Sequence, residues 1–205
     1  MKQIDSQRVS PLDNYKLLSG LVAPRPIAWI STWNAGHHNL NLAPFSFFSV
    51  VPGSRPLVTV AIGRIDGQPK DTTANLLREH EGVVNLVDRQ LAAQMNMTAA
   101  SLPSGESEAD LAGLTTADSQ RVTTPGIAGS KARLEVKLDQ VVPIKNRDGE
   151  TDADLLILEV VNYDLADQIV DDRYHVDATA LDPISRIAGP NYSRLGERFS
   201  MARPK

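Results

Sequence analysis

"NLNLAPFSFF", residues 39–48, alternates asparagine with leucine and then stops alternating. Side chains on a strand point to opposite faces in turn, so the leucines form one apolar row and the asparagines face away from it. Pro44 has no N–H to give to a ladder, and Ser46 stands among Phe45, Phe47 and Phe48. A strand that only filled a core would need none of Asn41, Pro44 and Ser46. By parity Asn41 and Ala43 share a face and Ser46 lies on the other. For all three to meet one ligand the strand has to kink, and Pro44 is the expected place.

The flanks read as strands too. "LVAPRPIAWIST" (21–32) is apolar and β-favouring, "WNAGHHN" (33–39) supplies the turn, and "RPLVTVAIG" (55–63) is a Val/Ile run bounded by Pro and Gly. Helical character appears in "DTTANLLREHE" (71–81), with Asp71 or Thr72 as N-cap and Leu76 and Leu77 inward, and again in "RQLAAQMNMTAAS" (89–101). "GVVNLVD" (82–88) is a short strand between them. The polar, Gly/Pro-punctuated residues 102–130 read as an excursion over the surface, with one helical turn near Glu108–Leu111. The cleanest alternation is "RLEVKLDQVVPI" (133–144), with Leu134, Val136 and Leu138 inward and Glu135, Lys137 and Asp139 outward. "NRDGE" turns it, and "DLLILEVVNY" (154–163) returns as the second arm of a hairpin. The ending, 184–205, is basic with apolar anchors, and there is no internal repeat. Strands joined by short turns, with few inserted helices, favour an antiparallel barrel over a parallel α/β sheet.

The 205 residues suit one domain, 1–205, with the excursion at about 100–130. A formal charge of −4 gives no electrostatic reason to expect nucleic acid or an anionic membrane. The absence of cysteine excludes disulfides, thiolate catalysis and Cys-ligated metal. The N-terminus lacks a signal-peptide core and no apolar run reaches bilayer length, so a soluble cytoplasmic protein is expected.

Two stretches can carry chemistry. In "GQPKDTTANLL" (67–77) Lys70 precedes a hydroxyl-rich helix start, where free N–H groups and the dipole favour an anion. Thr72 and Thr73 add donors, with Asn75 one turn on; the plainer reading is an ordinary cap beside a surface lysine. In "PRPIAWIST" (24–32) Arg25, Ile27, Trp29 and Ser31 share one face and Pro26, Ala28, Ile30 and Thr32 the other. A Trp flanked by Arg and hydroxyls can wall an aromatic ligand, or simply fill a core. His175 among Asp171, Asp172 and Asp177 is the least poor metal candidate, and a solvated acidic turn explains it better. Neither a nucleophile elbow nor a Gly-x-Gly-x-x-Gly fingerprint occurs.

Taken together, "APRPIAWIST", "NLNLAPFSFFSVVPGSRPLV", "KDTTANL" with "GVVNLV", "EADLAGLT", "ARLEVKL" and "ISRIAGPNYSRLGERF" resemble the flavin reductase-like family of FMN-binding split barrels. That family includes flavoredoxin-type proteins and the reductase components of two-component monooxygenases. The resemblance covers roughly residues 15–200. It implies a mainly β, six-stranded antiparallel Greek-key split barrel with flanking helices, a homodimer, and FMN near the subunit interface. It further implies that Arg25 to Thr32 run along the flavin, Trp29 among them, with Ser31 and Thr32 as polar contacts. Asn41, Ala43, Pro44, Ser46 and Phe47 would line the isoalloxazine ring and the ribityl phosphate, and Lys70, Asp71, Thr72 and Asn75 would form the phosphate end. Arg186 and Tyr192 are further implied contacts. The implied activity is electron transfer from NADH or NADPH through FMN to flavin or another acceptor, with a partner monooxygenase in some relatives. The alternatives are a non-catalytic carrier and a barrel that has lost its flavin.

Three departures bear on function. Shorter relatives carry Gly-Asp-His before a late strand, where this chain reads "LLILEVVNYDLADQIV" without histidine. Val136 stands where many relatives have cysteine, and Ala188 replaces the first glycine of a tail pair.

Overall fold

A computed structural model describes residues 1–103 and 106–204. Residues 104 and 105 of the excursion and Lys205 of the basic tail lie outside the described residues. Helix α1 (Pro11–Leu21) leads into strands β1 (Arg25–Pro26), β2 (Ala28–Trp33), β3 (Leu40–Phe45), β4 (Phe48–Val51) and β5 (Leu57–Gly63). Then come α2 (Asp71–Glu79), β6 (Glu81–Leu86), α3 (Ala92–Met97), α4 (Glu108–Leu111) and the two-residue strands β7 (Thr116–Ala117) and β8 (Gly126–Ile127). The hairpin β9 (Ala132–Lys145) and β10 (Thr151–Leu165) is followed by α5 (Ala178–Leu181), β11 (Ile184–Arg186) and β12 (Tyr192–Arg194). No helix among the described residues is long and apolar enough to cross a membrane.

The main sheet is antiparallel, with strand order β3-β2-β6-β9-β10-β5-β4. That is seven strands rather than the expected six, and the sheet does not close through hydrogen bonds between its end strands. The extra strand arises in 39–48, which is two strands and not one. Those two, β3 and β4, are the opposite edges of the sheet, yet only Ser46 and Phe47 separate them. Three Cα steps of 3.8 Å span at most about 11 Å, so the sheet must curl until its two edges meet at that corner. The result is a barrel split along one seam.

Pro44 does not break the strand, contrary to the expected kink; it pairs opposite Trp29 inside β3, and regular pairing ends after Phe45. The reason lies in strand direction. Leu42 N–H donates outward to Glu108 Oε2 at 3.0 Å and Leu40 O accepts outward from Ser107 Oγ at 3.1 Å. Residues two apart face the same way, so the nitrogen of Pro44 also points off the sheet, where no ladder bond is lost.

Strand β2 is buried on both faces, which explains its continuous apolar run. Ala28 and Ile30 join Val58, Val60, Leu156 and Leu158 inside the curl, whereas Ile27 and Trp29 join Leu42, Met95 and Ile184 outside it. Trp29 is fully buried and its Nε1–H donates to Thr98 Oγ1 at 2.8 Å, so its polar end is satisfied.

The β9–β10 hairpin forms as its alternation indicates, and Gly149 takes φ +87° in its turn. Glu135 departs from expectation: it is buried, because the excursion folds back over it. Its carboxylate accepts the N–H groups of Gln120 at 2.9 Å and Arg121 at 2.6 Å and the Asn162 amide at 2.9 Å. The excursion is further tied down by Glu81 Oε1, which accepts from Thr123 N at 2.6 Å, and by pairing of β7 with β8.

Helix α1 carries no period-2 alternation and little amphipathic pattern. Its signal is local: Ser10 Oγ accepts the Asp13 N–H at 3.1 Å, and Pro11 occupies the first turn. In α2, Thr72, Thr73, Asn75 and Leu76 form one buried face, and Leu77, about 100° beyond Leu76, falls outside it and is exposed.

Candidate functional site

Two adjoining cavities run along the outer edge of β3 and share Pro44, Phe45 and Ala99 as a common wall. One, about 500 Å³, lies between Asn41, Ala43 and Pro44 of β3, the start of α2 at Lys70–Thr72, and the 98–102 segment. The other, about 390 Å³, is bounded by Tyr15 of α1, Arg25, Ser46, Arg186 and Tyr192. Both fall within the range of roughly 300–1,000 Å³ usual for ligand cavities. A larger hollow of about 1,110 Å³ near Tyr163 and Tyr174 is rimmed by Asp167, Asp171 and Asp172 and no cation, and so is poorly suited to an anionic ligand.

At the larger of the two, α2 opens in an unusual state. The N-cap is Lys70, not Asp71 or Thr72 as expected, and no side chain caps the helix. The first backbone N–H to find a helical partner is that of Ala74, donating to Lys70 O at 3.0 Å. The preceding amides of Asp71, Thr72 and Thr73 are therefore available, as is the Lys70 ammonium, which makes no hydrogen bond or ion pair among the described residues. The Thr73 hydroxyl, buried in the same turn, also has no hydrogen-bond partner among the described residues.

A hydrogen-bonded cluster holds this helix end against β3. Asn41 Nδ2 donates to Thr72 Oγ1 at 2.9 Å and to Thr32 Oγ1 at 3.2 Å, and Asn75 Nδ2 donates to Thr32 Oγ1 at 3.1 Å. Glu108 also lines this cavity, bonded to the outer edge of β3. Burial pushes its carboxyl above the usual carboxylate range, and the Leu42 N–H only partly opposes this.

In the smaller cavity Arg25 is nearly inaccessible and joins three parts of the chain. Its Nη1 donates to the carbonyls of Ser19 and Val22 (2.7 Å to the latter) at the end of α1, its Nη2 to Ile187 O at 3.1 Å, and its Nε to Ser46 Oγ at 3.5 Å. The guanidinium also lies 5.5 Å from the centre of the Phe47 ring.

A family model described as "Flavin reductase like domain" matches residues 21–180. The chain belongs to the flavin reductase-like family. An uncharacterised protein of Halalkalibacterium halodurans is 42% identical over 203 residues, covering 98% of this chain and 96% of that one. Among solved structures, nitrilotriacetate monooxygenase component B from Bacillus cereus is similar with a TM-score of 0.94 and 37% identity, covering 98% of each chain. The Pseudomonas fluorescens 2-nitrobenzoate 2-nitroreductase follows with a TM-score of 0.86 and 26% identity, covering 99% of this chain and 96% of that one.

Within this flavin reductase-like chain, ten of the family-implied residues line the paired cavities: Arg25, Asn41, Ala43, Pro44, Ser46, Lys70, Asp71, Thr72, Arg186 and Tyr192. Thr32 and Asn75 stand behind them, supporting Asn41. Trp29 is enclosed in the outer core, and Ser31 Oγ donates to Pro125 O at 2.8 Å, tying down the excursion instead. Phe47 is half exposed and meets Tyr15 edge-on at 6.2 Å between centroids. Sequence reasoning missed Tyr15, Ser19, Met95, Ala99 and Glu108 as wall residues. For Glu108 a signal existed, since "SEAD" places a serine cap and a first-turn carboxylate on α4, and Ser107 Oγ does accept the Asp110 N–H.

Proposed function

We propose that the protein is an FMN-dependent oxidoreductase, one domain over 1–205, that takes electrons from NADH or NADPH and passes them to free flavin or another acceptor. The observation that carries this is the uncapped start of α2 beside an unpaired Lys70, opening onto an apolar wall along β3. FMN couples a flat, largely apolar ring system to a phosphate dianion. It therefore needs a slot with few polar groups and one cationic, amide-rich end. The residues present fit that demand. The Lys70 ammonium and the free amides of residues 71–73 would hold the phosphate, with Asn41 and Thr72 fixing its distance from β3. Ala43, Pro44 and Ser46 would lie along the ring, whose isoalloxazine supplies the redox chemistry when bound. What the chain contributes is orientation, exclusion of water by Phe45, Met95 and Ala99, and positive potential.

The chain's similarity to component B of a monooxygenase makes a partner oxygenase a natural recipient of its electrons. We further read the assembly as a homodimer acting in the cytoplasm. A second reading, a carrier without turnover, is favoured by one observation: no histidine lines either cavity.

The visible spectrum of the purified protein, as isolated and after incubation with FMN, tests both readings. Yellow protein bleached anaerobically by NADH or NADPH supports the oxidoreductase, and yellow protein bleached by neither supports the carrier. A colourless protein that takes up no FMN would rule out both.

A further inference from the structure

Strands β1 and β11 set Arg25 directly opposite Arg186 in antiparallel register. Side chains so paired leave the backbone about 4.5–5.5 Å apart at Cβ, and like charges there repel. Both residues line the smaller cavity, and no aspartate or glutamate lines it with them. The partners of Arg25 are all neutral, three carbonyls and a hydroxyl, so its donors are satisfied while its charge is not cancelled. The Arg186 guanidinium, by contrast, makes no hydrogen bond or ion pair among the described residues. Its Cζ lies 4.6 Å from the centroid of the Tyr192 ring, and the Tyr192 hydroxyl is anchored by donating to Asn96 Oδ1 at 3.1 Å. The guanidinium is thus held by stacking while its N–H fork stays free.

One phosphate-bearing ligand needs one cationic end. The paired cavities have two uncommitted cations, Lys70 in one and Arg186 in the other. We infer that Arg186, stacked on Tyr192 and set beside Arg25, is the oxyanion-recognition residue for the second reactant. It receives the phosphate or carboxylate of the molecule that exchanges electrons with the cofactor. A planar fork suits either oxyanion in bidentate fashion, and Tyr15, Ile27 and Phe45 offer the apolar wall for a ring attached to it. This inference rests on the FMN reading and moves Arg186 from the cofactor to its reaction partner.

The test is calorimetric titration of the parent, Arg186→Ala, Arg186→Lys and Lys70→Ala proteins, each with and without FMN. ADP-ribose is the probe for a diphosphate, as a nicotinamide donor would carry, and benzoate the probe for a carboxylate on a ring. At least one probe should bind the parent and lose tenfold or more of its affinity in Arg186→Ala, with partial recovery in Arg186→Lys. FMN affinity should stay within about threefold in Arg186→Ala while falling in Lys70→Ala. The probe that binds names the source of the oxyanion. Binding of neither probe to the parent, equal binding by parent and Arg186→Ala, or loss of FMN by Arg186→Ala as large as that of Lys70→Ala, would overturn the inference. If the parent takes up no FMN, the cofactor reading has failed. The anion site then stands or falls on the FMN-free titrations alone.

Discussion

Asn41 of β3 and Thr72 of α2 lie 31 positions apart in the chain and are joined by a hydrogen bond, Asn41 Nδ2 donating to the Thr72 hydroxyl at 2.9 Å. The same nitrogen reaches Thr32 Oγ1 at 3.2 Å. A single amide therefore fixes how far the open start of α2 stands from the edge strand. Replacing Asn41 with alanine removes that donor from two buried hydroxyls. The expected cost is about 1–3 kcal/mol, read as a lower urea midpoint with an unchanged slope. FMN affinity should fall in the same variant, because the helix end is no longer held.

The Lys70 side chain is exposed and makes no hydrogen bond or ion pair among the described residues, so its removal should leave the fold almost untouched. Lys70→Ala is expected to weaken FMN binding by roughly ten- to a hundredfold, the range for loss of a charge-assisted contact of about 1.5–3 kcal/mol. Lys70→Arg should recover part of it. Flavin fluorescence titrations at low and high salt check this, and the parent's advantage should shrink as salt rises. An affinity equal to the parent's would place the phosphate elsewhere.

Ser31 separates structural from cofactor roles. Its hydroxyl is fully buried and already donates to the Pro125 carbonyl. Ser31→Ala should cost about 0.5–1.5 kcal/mol of stability and leave FMN affinity as it was. Paired denaturation and titration measurements decide it; a stable variant with poor FMN binding would reverse the assignment.

Glu108 gives a pH signature. Its carboxyl is raised in the folded protein by burial, with Asp71 adding a smaller push in the same direction. A raised acid binds its proton more tightly when folded than when unfolded. Its favourable contribution is therefore complete at low pH and is lost as pH rises through its folded value. Glu108→Gln keeps an oxygen for the Leu42 N–H and has no charge to bury. The variant should gain stability relative to the parent as pH climbs from about 4 to about 8. Denaturation midpoints across that range should show the gap widening in the variant's favour, and a constant gap contradicts the argument.

Much of this was legible in the sequence because period-2 alternation survives any arrangement of neighbours. It identified the two faces of 25–32 and the β9–β10 hairpin directly. What alternation does not carry is the direction of a backbone N–H, which depends on which strand pairs where. Pro44 looked like a break for that reason, although its nitrogen points off an edge. Glu135 looked solvated because its cover comes from residues 120–121, in a segment with no period of its own. Arg186 was legible only through the tail motif; its position opposite Arg25 comes from pairing across nearly the whole chain.

The edge at β3 has one more consequence, for behaviour in crowded solution. An unpaired edge strand is a template on which another chain can add a strand and begin to aggregate. Here the outward carbonyl of Leu40 is taken by Ser107, the outward N–H of Leu42 by Glu108, and Pro44 has none to offer. Strand addition along β3 is thereby blocked at three successive outward positions. Losing the Ser107–Glu108 cover, by proteolysis or by substitution at both residues, would turn a protected seam into a sticky one.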